Sequence, residues 1–153
     1  MVIHYVLGFL FERQGRLVWL IKKARGPAHL IGKYNGIGGK VEPGENPEEA
    51  MRREAREEID VDCPWVWYGS MGSAGIWTCD LFFADGAGLN PRTMDPTEPG
   101  GYDRSDFPAD HPLVPLVDNV PALLSLAALA RDGTDRINFR LDFLPNKVSY
   151  RGP

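Results

Sequence analysis

The spacing of apolar residues along the chain predicts several strands. Apolar runs that alternate or continue between Gly, Asn and polar turn residues are typical of strands. A short strand is also expected around Ile37, ahead of a glycine-rich turn. The first two of the longer runs flank the polar turn 12–15 and predict a β-hairpin. The five longer runs are residues 3–11, 16–22, 63–71, 75–84 and 137–143.

Residues 46–59 carry the signals of an amphipathic helix. Asn46 is a good N-cap, and Pro47 and Glu49 suit the first and third helical positions. Three apolar residues then recur at every fourth position and are expected to face the core: Met51, Ala55 and Ile59. The helix is therefore predicted to begin at Pro47 and to end near Ile59.

The second half of the chain holds a long loop and a second helix. Residues 85–110 are rich in Gly, Pro and Asp without periodicity, which is typical of a lid, a binding loop or a disordered segment. A helix is expected over 123–130, beginning near 118–121, and residues 144–153 are expected to be a tail. The order β-β-α-β-β-loop-α-β predicts a mixed α/β (α+β) fold with helices covering a sheet. We expect a single domain over residues 1–153.

Composition narrows the classes of function. A chain of 153 residues, 43% hydrophobic and 25% charged, is ordinary for one soluble domain. The net charge of −4 disfavours binding to a nucleic-acid polymer, which usually needs a basic surface. No apolar run approaches membrane-spanning length, and Cys63 and Cys79 are too few for a disulfide framework. A cytoplasmic protein with reduced, buried thiols and no membrane partner is expected; its oligomeric state stays open.

Three glutamates stand on one stripe of the first predicted helix. Glu54, Glu57 and Glu58 are related as i, i+3 and i+4, so they fall within an arc of roughly 100°. Like charges at this spacing destabilise a helix by a few tenths of a kcal/mol. The nearby cations, Arg52, Arg53 and Arg56, are expected to project to other faces. Such a stripe suits Mg²⁺, with Mn²⁺ as its substitute.

Gly38 and Gly39 form the glycine-rich turn, called the glycine turn below. Gly39 is followed after five residues by Glu45, and after seven more by the run 53–61. This spacing resembles the signature of the Nudix hydrolases, which cleave a nucleoside diphosphate linked to another group. The resemblance implies an α/β/α sandwich with a mixed central sheet. One position departs from the signature: Asp60 stands where glycine normally ends the helix in a left-handed turn, a conformation that Asp tolerates better than most residues.

The resemblance also assigns roles to the residues of this segment. It implies that Arg53 and Glu45 form a salt bridge that holds the loop against the helix. The resemblance implies that the general base is a glutamate of the signature or an acid of a later loop. In the loop, Glu98 is the candidate for a base or a metal ligand. The alternative is that Glu98 is a solvent-exposed acid without a role in the site. Weaker loop candidates are Asp85, Asp103 and Asp106. The implied metal ligands are Glu54, Glu57, Glu58 and the carbonyl of Gly38.

Residues 33–41 indicate a substrate class. They resemble the Trp-Asn-Gly-Phe-Gly-Gly-Lys run of the animal enzymes that hydrolyse oxidised purine nucleoside triphosphates. That resemblance implies that Asn35 binds a purine, through an amide that both donates and accepts. The implied substrate-binding lysines are Lys22 or Lys23, near the phosphates, and Lys40.

The resemblance weakens at the second base-reading segment. Where those enzymes carry Trp-Pro-Asp-Asp, this chain has residues 114–119, and aligning the prolines places Leu116 and Val117 on the acidic pair. Asp118 and Asn119 therefore remain the candidates for that role. The four tryptophans are further candidates for base stacking, although a strand Trp more often packs a core: Trp19, Trp65, Trp67 and Trp77.

These expectations combine into one hypothesis with three rivals. We expect a Mg²⁺-dependent Nudix pyrophosphohydrolase that cleaves a nucleoside triphosphate, a purine or an oxidised purine such as 8-oxo-dGTP, to monophosphate and pyrophosphate. One rival is a hydrolase of ADP-ribose or a dinucleoside polyphosphate. Another is a Nudix domain that senses a nucleotide without cleaving it. The third, a diphosphate isomerase relative, lacks an identifiable nucleophilic cysteine with partner acids.

Overall fold

The computed structural model of the chain describes residues 1–24, 27–94, 101–103, 115–133, 139–144 and 147–151. Two α-helices lie in these ranges, α1 at Pro47–Ile59 and α2 at Val120–Asp132, and neither is long and apolar enough to cross a membrane. Short 3-10 turns occupy Arg13–Gly15 and Ala28–Leu30. The strands, in chain order from β1 to β9, are Ile3–Glu12, Leu17–Trp19, Ile21–Lys22, Tyr34–Asn35, Val66–Ser73, Trp77–Asp85, Gly101–Asp103, Arg140–Leu144 and Lys147–Arg151.

A mixed sheet forms the centre of the protein. Its described strands follow the order β7-β2-β1-β6-β5-β8-β9, while β3 and β4 pair separately. Strand β1 is antiparallel to β2, as the predicted hairpin requires, and parallel to β6, with Ile3 opposite Trp77 and Phe11 opposite Asp85. Strand β5 is antiparallel to β6 and parallel to β8. The predicted mixed α/β fold is confirmed.

The two helices cover opposite faces of this sheet. Side chains of a strand alternate between faces, and Val6 and Leu10 of β1 join the core formed by α1, with its buried Met51, Ala55 and Ile59. The intervening residues join a second core that contains Leu123 and Ala127 of α2: Leu7, Phe9 and Phe11. The result is an α/β/α sandwich with one apolar core on each side of the sheet.

Helix α1 begins and ends as predicted. The Asn46 side chain accepts a hydrogen bond from the Glu49 N–H, and the Glu49 carboxylate accepts one from the Asn46 N–H, which completes a capping box. At the other end, Asp60 adopts the left-handed conformation, with φ 55° and ψ 39°. Both ends of the helix are therefore encoded by local residues.

Two predictions about irregular segments were wrong. Within the predicted loop 85–110, Gly101–Asp103 forms β7 and pairs with β2. Within the predicted tail 144–153, Lys147–Arg151 forms β9 and pairs with β8. Strand pairing with an existing sheet edge stabilises these short segments, and a periodicity count along the chain does not register that contribution.

Both cysteines are buried free thiols, as expected. Burial raises the pKa of Cys63 to about 11. Burial also raises the pKa of the Cys79 thiol, with a smaller contribution from Asp80. Because the thiolate is the nucleophilic form of cysteine, neither residue is suited to nucleophilic catalysis.

We expect Asn46→Ala to lower the free energy of unfolding by about 1 kcal/mol, because it removes the cap of α1. Urea denaturation followed by circular dichroism measures this difference. Asn90→Ala, a substitution at an exposed position in the loop after β6, is the matched control and is expected to change stability by less than about 0.5 kcal/mol. Equal effects of the two substitutions would contradict the capping role.

Candidate active site

The glycine turn is bound to β1 on both sides of Gly38. Gly8 and Ile37 exchange backbone hydrogen bonds of 2.7 and 2.9 Å, and the Val6 N–H donates to the Gly39 carbonyl at 2.9 Å. Strand β2 pairs only with residues 10–12 of β1, so the turn occupies the rest of that strand edge. The sheet therefore fixes the path of the turn.

The turn also touches two of the three glutamates on α1. The Gly38 N–H donates to Oε2 of Glu58 at 2.9 Å. A Cβ built on Gly39 would lie 2.6 Å from the carboxylate carbon of Glu54, so only glycine lets this carboxylate lie against the backbone. The glycine turn and the acidic stripe thus meet, although 15 positions of sequence separate Gly39 from Glu54.

Arg53 holds the turn and the helix together. Its Nε and Nη2 contact the two carboxylate oxygens of Glu45 at 2.8 and 3.1 Å, a bidentate pair. Nη2 also donates to the Lys40 carbonyl at 2.9 Å. The hydrogen bond from Arg53, followed by one from the Glu42 N–H, lowers the pKa of Glu45. The predicted Arg53–Glu45 salt bridge is present.

The expectation that all three arginines project away from the glutamates was wrong for Arg53. Its Nη1 contacts Oε1 of Glu54 at 2.7 Å and Oε2 of Glu57 at 3.4 Å. Its long side chain reaches Glu57 because residues four apart are neighbours on a helix surface. Arg52 and Arg56 do turn away, and both bind Asp62.

The carboxylates of α1 have suitable chemistry for a hard divalent cation. They are all oxygen donors, which Mg²⁺ prefers. Within the described residues, however, no three His, Cys, Asp or Glu side chains are grouped closely enough to hold a metal ion. Glu54 is 13% exposed and Glu57 is 59% exposed, so Glu57 is the freer of the two to turn toward a cation. The metal-binding roles, including that of the Gly38 carbonyl, stay predictions.

The loop candidates for a metal ligand or base are only partly described. Glu98 and Asp106 lie outside the described residues, as does the side chain of Asp103. Asp85 lies at the end of β6, where it contacts Arg131 at 3.0 Å. The Asp85 carboxylate is therefore already engaged in an ion pair with Arg131.

A cavity of about 560 Å³ opens beside the glycine turn. It lies on the face of the sheet that carries α2, since Leu7 and Cys79, from the core on that face, line it. Five of the predicted site residues line it as well: Lys23, Asn35, Gly38, Lys40 and Asn119. Lys22 and Asp118 do not belong to its lining; Lys22 instead lies 5.9 Å from the centre of the Tyr34 ring.

The two asparagines in the cavity have uncommitted polar atoms. Oδ1 of Asn35 accepts from the Gly36 N–H at 2.9 Å, and its amide NH₂ has no hydrogen-bond partner among the described residues. Asn119 is the N-cap of α2, yet its side chain makes no capping hydrogen bond. Its amide nitrogen lies 3.5 Å from the sulfur of Met71, another lining residue. Both amides are placed to bind a ligand.

Asp118 is directed elsewhere. Its side chain is 92% exposed and forms an ion pair with Lys33 at 2.8 Å. The hydrogen bond from Lys33 is the main reason why the pKa of Asp118 is lowered. Of the two neighbouring candidates for base recognition, Asn119 is therefore the one that reaches the cavity.

Three further lining residues were not singled out as site residues from the sequence: Tyr5, Met71 and Cys79. Trp77, one of four tryptophans considered for stacking, lines the cavity too, whereas Trp65 is buried in the core with α1. The parallel register of β1 and β6 pairs Tyr5 with Cys79, and the antiparallel register of β5 and β6 pairs Cys79 with Met71. These registers arise from the sheet order, which the sequence spacing of the strands does not reveal.

Comparison with known proteins identifies the family. The model of the NUDIX domain matches residues 4–98. The chain belongs to the Nudix family. It therefore joins a family of hydrolases that act on nucleoside diphosphate derivatives.

Curated relatives of the Nudix chain fall into two groups. An oxidized purine nucleoside triphosphate hydrolase from Danio rerio is 32% identical over 105 residues, which cover 65% of this chain and 65% of that protein. The NAD-capped RNA hydrolase NudC from Chromobacterium violaceum is 30% identical over 131 residues, covering 82% of this chain and 44% of the relative. In both cases the match spans less than two thirds of the relative's own length.

Solved structures share the Nudix fold at lower identity. A structure from a study of MutT from Aliivibrio salmonicida and Vibrio cholerae has a TM-score of 0.62 at 23% identity, covering 82% of this chain and 96% of that one. The MutT protein of Bacillus halodurans gives 0.66 at 16% identity, covering 98% and 97%. The NUDIX domain of Shewanella oneidensis NrtR, crystallised with ADP ribose, gives 0.67 at 16% identity, covering 83% and 86%.

We expect Gly38→Ala to lower the stability of the protein and Gly39→Ala to lower mainly its activity. At Gly38, with φ 148°, a Cβ would overlap the Val6 carbonyl, and backbone cannot yield as a side chain can; the loss of stability is expected to be at least about 1–3 kcal/mol. At Gly39 the overlapping atoms are the flexible end of Glu54, so stability should change by less than about 1 kcal/mol. Displacement of that carboxylate should nevertheless lower hydrolase activity.

Thermal unfolding and nucleotide hydrolysis by the two purified variants test this contrast. Gly44→Ala is a useful third variant, since Gly44 also has a positive φ, 91°, but a Cβ there would have nothing within 4 Å. A stable, fully active Gly39→Ala protein would show that Glu54 is not needed where the turn meets it.

Proposed function

We propose that this Nudix protein is a Mg²⁺-dependent pyrophosphohydrolase of purine nucleoside triphosphates that releases monophosphate and pyrophosphate. One observation carries the proposal. The Gly38–Gly39 backbone touches the carboxylates of Glu54 and Glu58 and also lines the cavity that contains Asn35 and Asn119. A nucleotide whose base enters the cavity would therefore have its phosphates near the acidic helix.

The size and polarity of the cavity support a nucleoside substrate. Its volume of about 560 Å³ lies within the usual range for small-molecule sites. Its wall is mainly apolar, with Trp77 and Tyr5 among the aromatic residues. The two amides can pair with the donors and acceptors on a base edge. Lys23 and Lys40, also in the lining, supply positive charge for phosphate.

The proposed roles of the acidic residues follow from the charge of the substrate. Mg²⁺ held by Glu54, Glu57, Glu58 and the Gly38 carbonyl would neutralise phosphate charge and lower the pKa of water. Arg53 positions the helix against the turn through Glu45 and Lys40. The proton acceptor would be a glutamate of the signature or an acid of a later loop, with Glu98 as the loop candidate for base or metal ligand. Cys63 and Cys79 have no part in this reaction.

The choice of purine rests on a relative and on the cavity wall. The Danio rerio relative is named for oxidised purine nucleoside triphosphates, which supports including 8-oxo-dGTP among the substrates. Yet the described part of the cavity wall contains no Asp or Glu, and Val117 lines it where an acid was sought. We therefore propose recognition by neutral amides. A role in cleansing the nucleotide pool would follow from a preference for the oxidised base.

ADP-ribose and NAD-capped RNA define the alternative substrates. The NudC relative is named as a hydrolase of NAD-capped RNA. The NUDIX domain of NrtR was crystallised with ADP ribose. A panel containing ordinary and oxidised purine triphosphates, ADP-ribose, a dinucleoside polyphosphate and NAD-capped RNA, with both products identified, separates them. Nucleotide binding without any product in Mg²⁺ or Mn²⁺ would favour a sensor instead.

Glu57→Gln is expected to lower kcat by orders of magnitude while the melting temperature stays nearly unchanged, because it removes a metal ligand at an exposed site. Glu48→Gln, an exposed position in the first turn of the same helix, is the matched control and should remain active. Release of pyrophosphate is the assay. Unchanged turnover in the Glu57 variant would refute the proposed metal site.

Asn119→Ala is expected to raise KM for purine triphosphates roughly 3–10-fold, the usual value of one hydrogen bond to a base edge. Asp118→Ala should leave KM within about 2-fold, since that side chain faces solvent and pairs with Lys33. Steady-state kinetics of the two variants on one purine and one pyrimidine triphosphate measure the difference. The opposite ranking would assign base recognition to Asp118.

A further inference from the structure

Asp60 is the one signature position at which this chain departs from its family, and the structure indicates what the aspartate does. A glycine would adopt the left-handed conformation found here, φ 55° and ψ 39°, with less strain. The Asp60 N–H caps the helix by donating to the Arg56 carbonyl at 3.2 Å, a bond that glycine could equally make. The side chain must therefore account for any advantage of aspartate.

The Asp60 side chain binds Arg92. Nε and Nη2 of Arg92 lie 2.8 and 2.6 Å from the same carboxylate oxygen, Oδ2. Arg92 belongs to the segment after β6, 32 positions from Asp60. The pair therefore joins the end of α1 to a distant part of the chain.

The same segment supplies backbone partners to the last turn of α1. The Arg92 N–H donates to the Ile59 carbonyl at 3.0 Å, and the Met94 N–H donates to the Glu58 carbonyl at 3.1 Å. The final carbonyls of a helix have no partner inside it. Residues 92–94 thus provide two of the missing hydrogen bonds, and the Asp60–Arg92 pair secures them.

The last turn is also the part of α1 that carries Glu57 and Glu58. Glu58 is held at two points, by the Met94 N–H on its carbonyl and by the Gly38 N–H on its carboxylate. We propose that Asp60 and Arg92 are positioning residues, which dock residues 92–94 on the end of α1 and so fix the two glutamates relative to the glycine turn. Their effect on metal binding rests on the proposed function, whereas the docking does not.

The two side chains are 45% and 69% exposed, so their pairing adds little to the overall stability of the protein. The expected effect of losing the Asp60–Arg92 pair is therefore local to the end of α1. Loss of the pair should loosen the last turn of α1 and weaken the metal site, while the melting temperature moves by only a few degrees.

Amide hydrogen exchange of the full chain tests the docking directly. Arg92→Ala is expected to increase the exchange rate of the last-turn amides of α1 roughly 3–10-fold, the effect of losing about one hydrogen bond. Arg92→Lys should restore part of the protection. Arg140→Ala, which breaks an exposed pair with Asp142 on β8 at 2.8 Å, is the matched control and should leave α1 unaffected.

Asp60→Gly distinguishes docking from simple capping. It restores the family residue and relieves the backbone, so a capping role alone predicts equal or slower exchange. Docking predicts faster exchange, as in Arg92→Ala, and no further increase in the double variant, because each change removes the same pair. Protected amides in Asp60→Gly, or unchanged exchange in Arg92→Ala, would overturn the proposal.

Calorimetric titration with Mn²⁺ alone, without nucleotide, measures the effect on the metal site. Arg92→Ala and Asp60→Gly are expected to weaken Mn²⁺ binding about 10-fold, as is usual when a residue that orients a metal ligand is lost. Wild-type affinity in both variants would overturn the link from the docked segment to Glu57 and Glu58. Absence of Mn²⁺ binding in the wild-type chain would instead contradict the proposed function, while the exchange measurements would still decide the docking.

Discussion

The close approach of the Gly38–Gly39 backbone to helix α1 is the contact on which the site depends. Any side chain at Gly39 would occupy the position of the Glu54 carboxylate, and any at Gly38 would strike the carbonyl of Val6. The turn is held in this position by the hydrogen bonds of Ile37 and Gly39 to β1 and by that of the Gly38 N–H to Glu58. The helix can approach because Gly8 of β1 leaves room: a Cβ there would lie 2.7 Å from the Met51 sulfur. Three glycines thus set the distance between sheet, turn and acidic helix.

The parts of the structure that could be predicted from sequence are those encoded by neighbouring residues. Asn46, Pro47 and Glu49 specify the start of α1, and the alternation of β1 specifies its two faces. The segments missed, β7 and β9, are stabilised by pairing with other strands, β7 with β2 and β9 with β8. The long reach of Arg53 was missed for a related reason. A helical wheel places the Cβ of a residue, whereas an arginine guanidinium can contact carboxylates around its own helix turn.

The residues proposed for base recognition also divide into one found from its sequence neighbours and one that depends on distant residues. Asn35 was proposed from a local run of residues, and it lines the cavity. The choice between Asp118 and Asn119 could not be made from spacing, because it depends on the start of α2 and on Lys33, a residue of another segment. Asn119 is the N-cap residue of α2 and lines the cavity, whereas Asp118 precedes the helix and pairs with Lys33. Only the three-dimensional position of Lys33 explains why the aspartate faces outward.

The sandwich separates the two tasks of the site. The cavity with its amides lies on the α2 face of the sheet, and the glutamates stand on α1 at the opposite face. The glycine turn, which is bound to the part of β1 that β2 leaves unpaired, is where the two faces meet. A ligand that uses both must therefore cross this edge, which suits an extended molecule with a flat apolar end and a charged end. Lys23 and Lys40 belong to the cavity wall, and Lys40 directly follows the glycine turn in the chain. Under the proposed function, base preference and phosphate chemistry are carried by different elements and can vary independently, whereas a change in the glycine turn affects both.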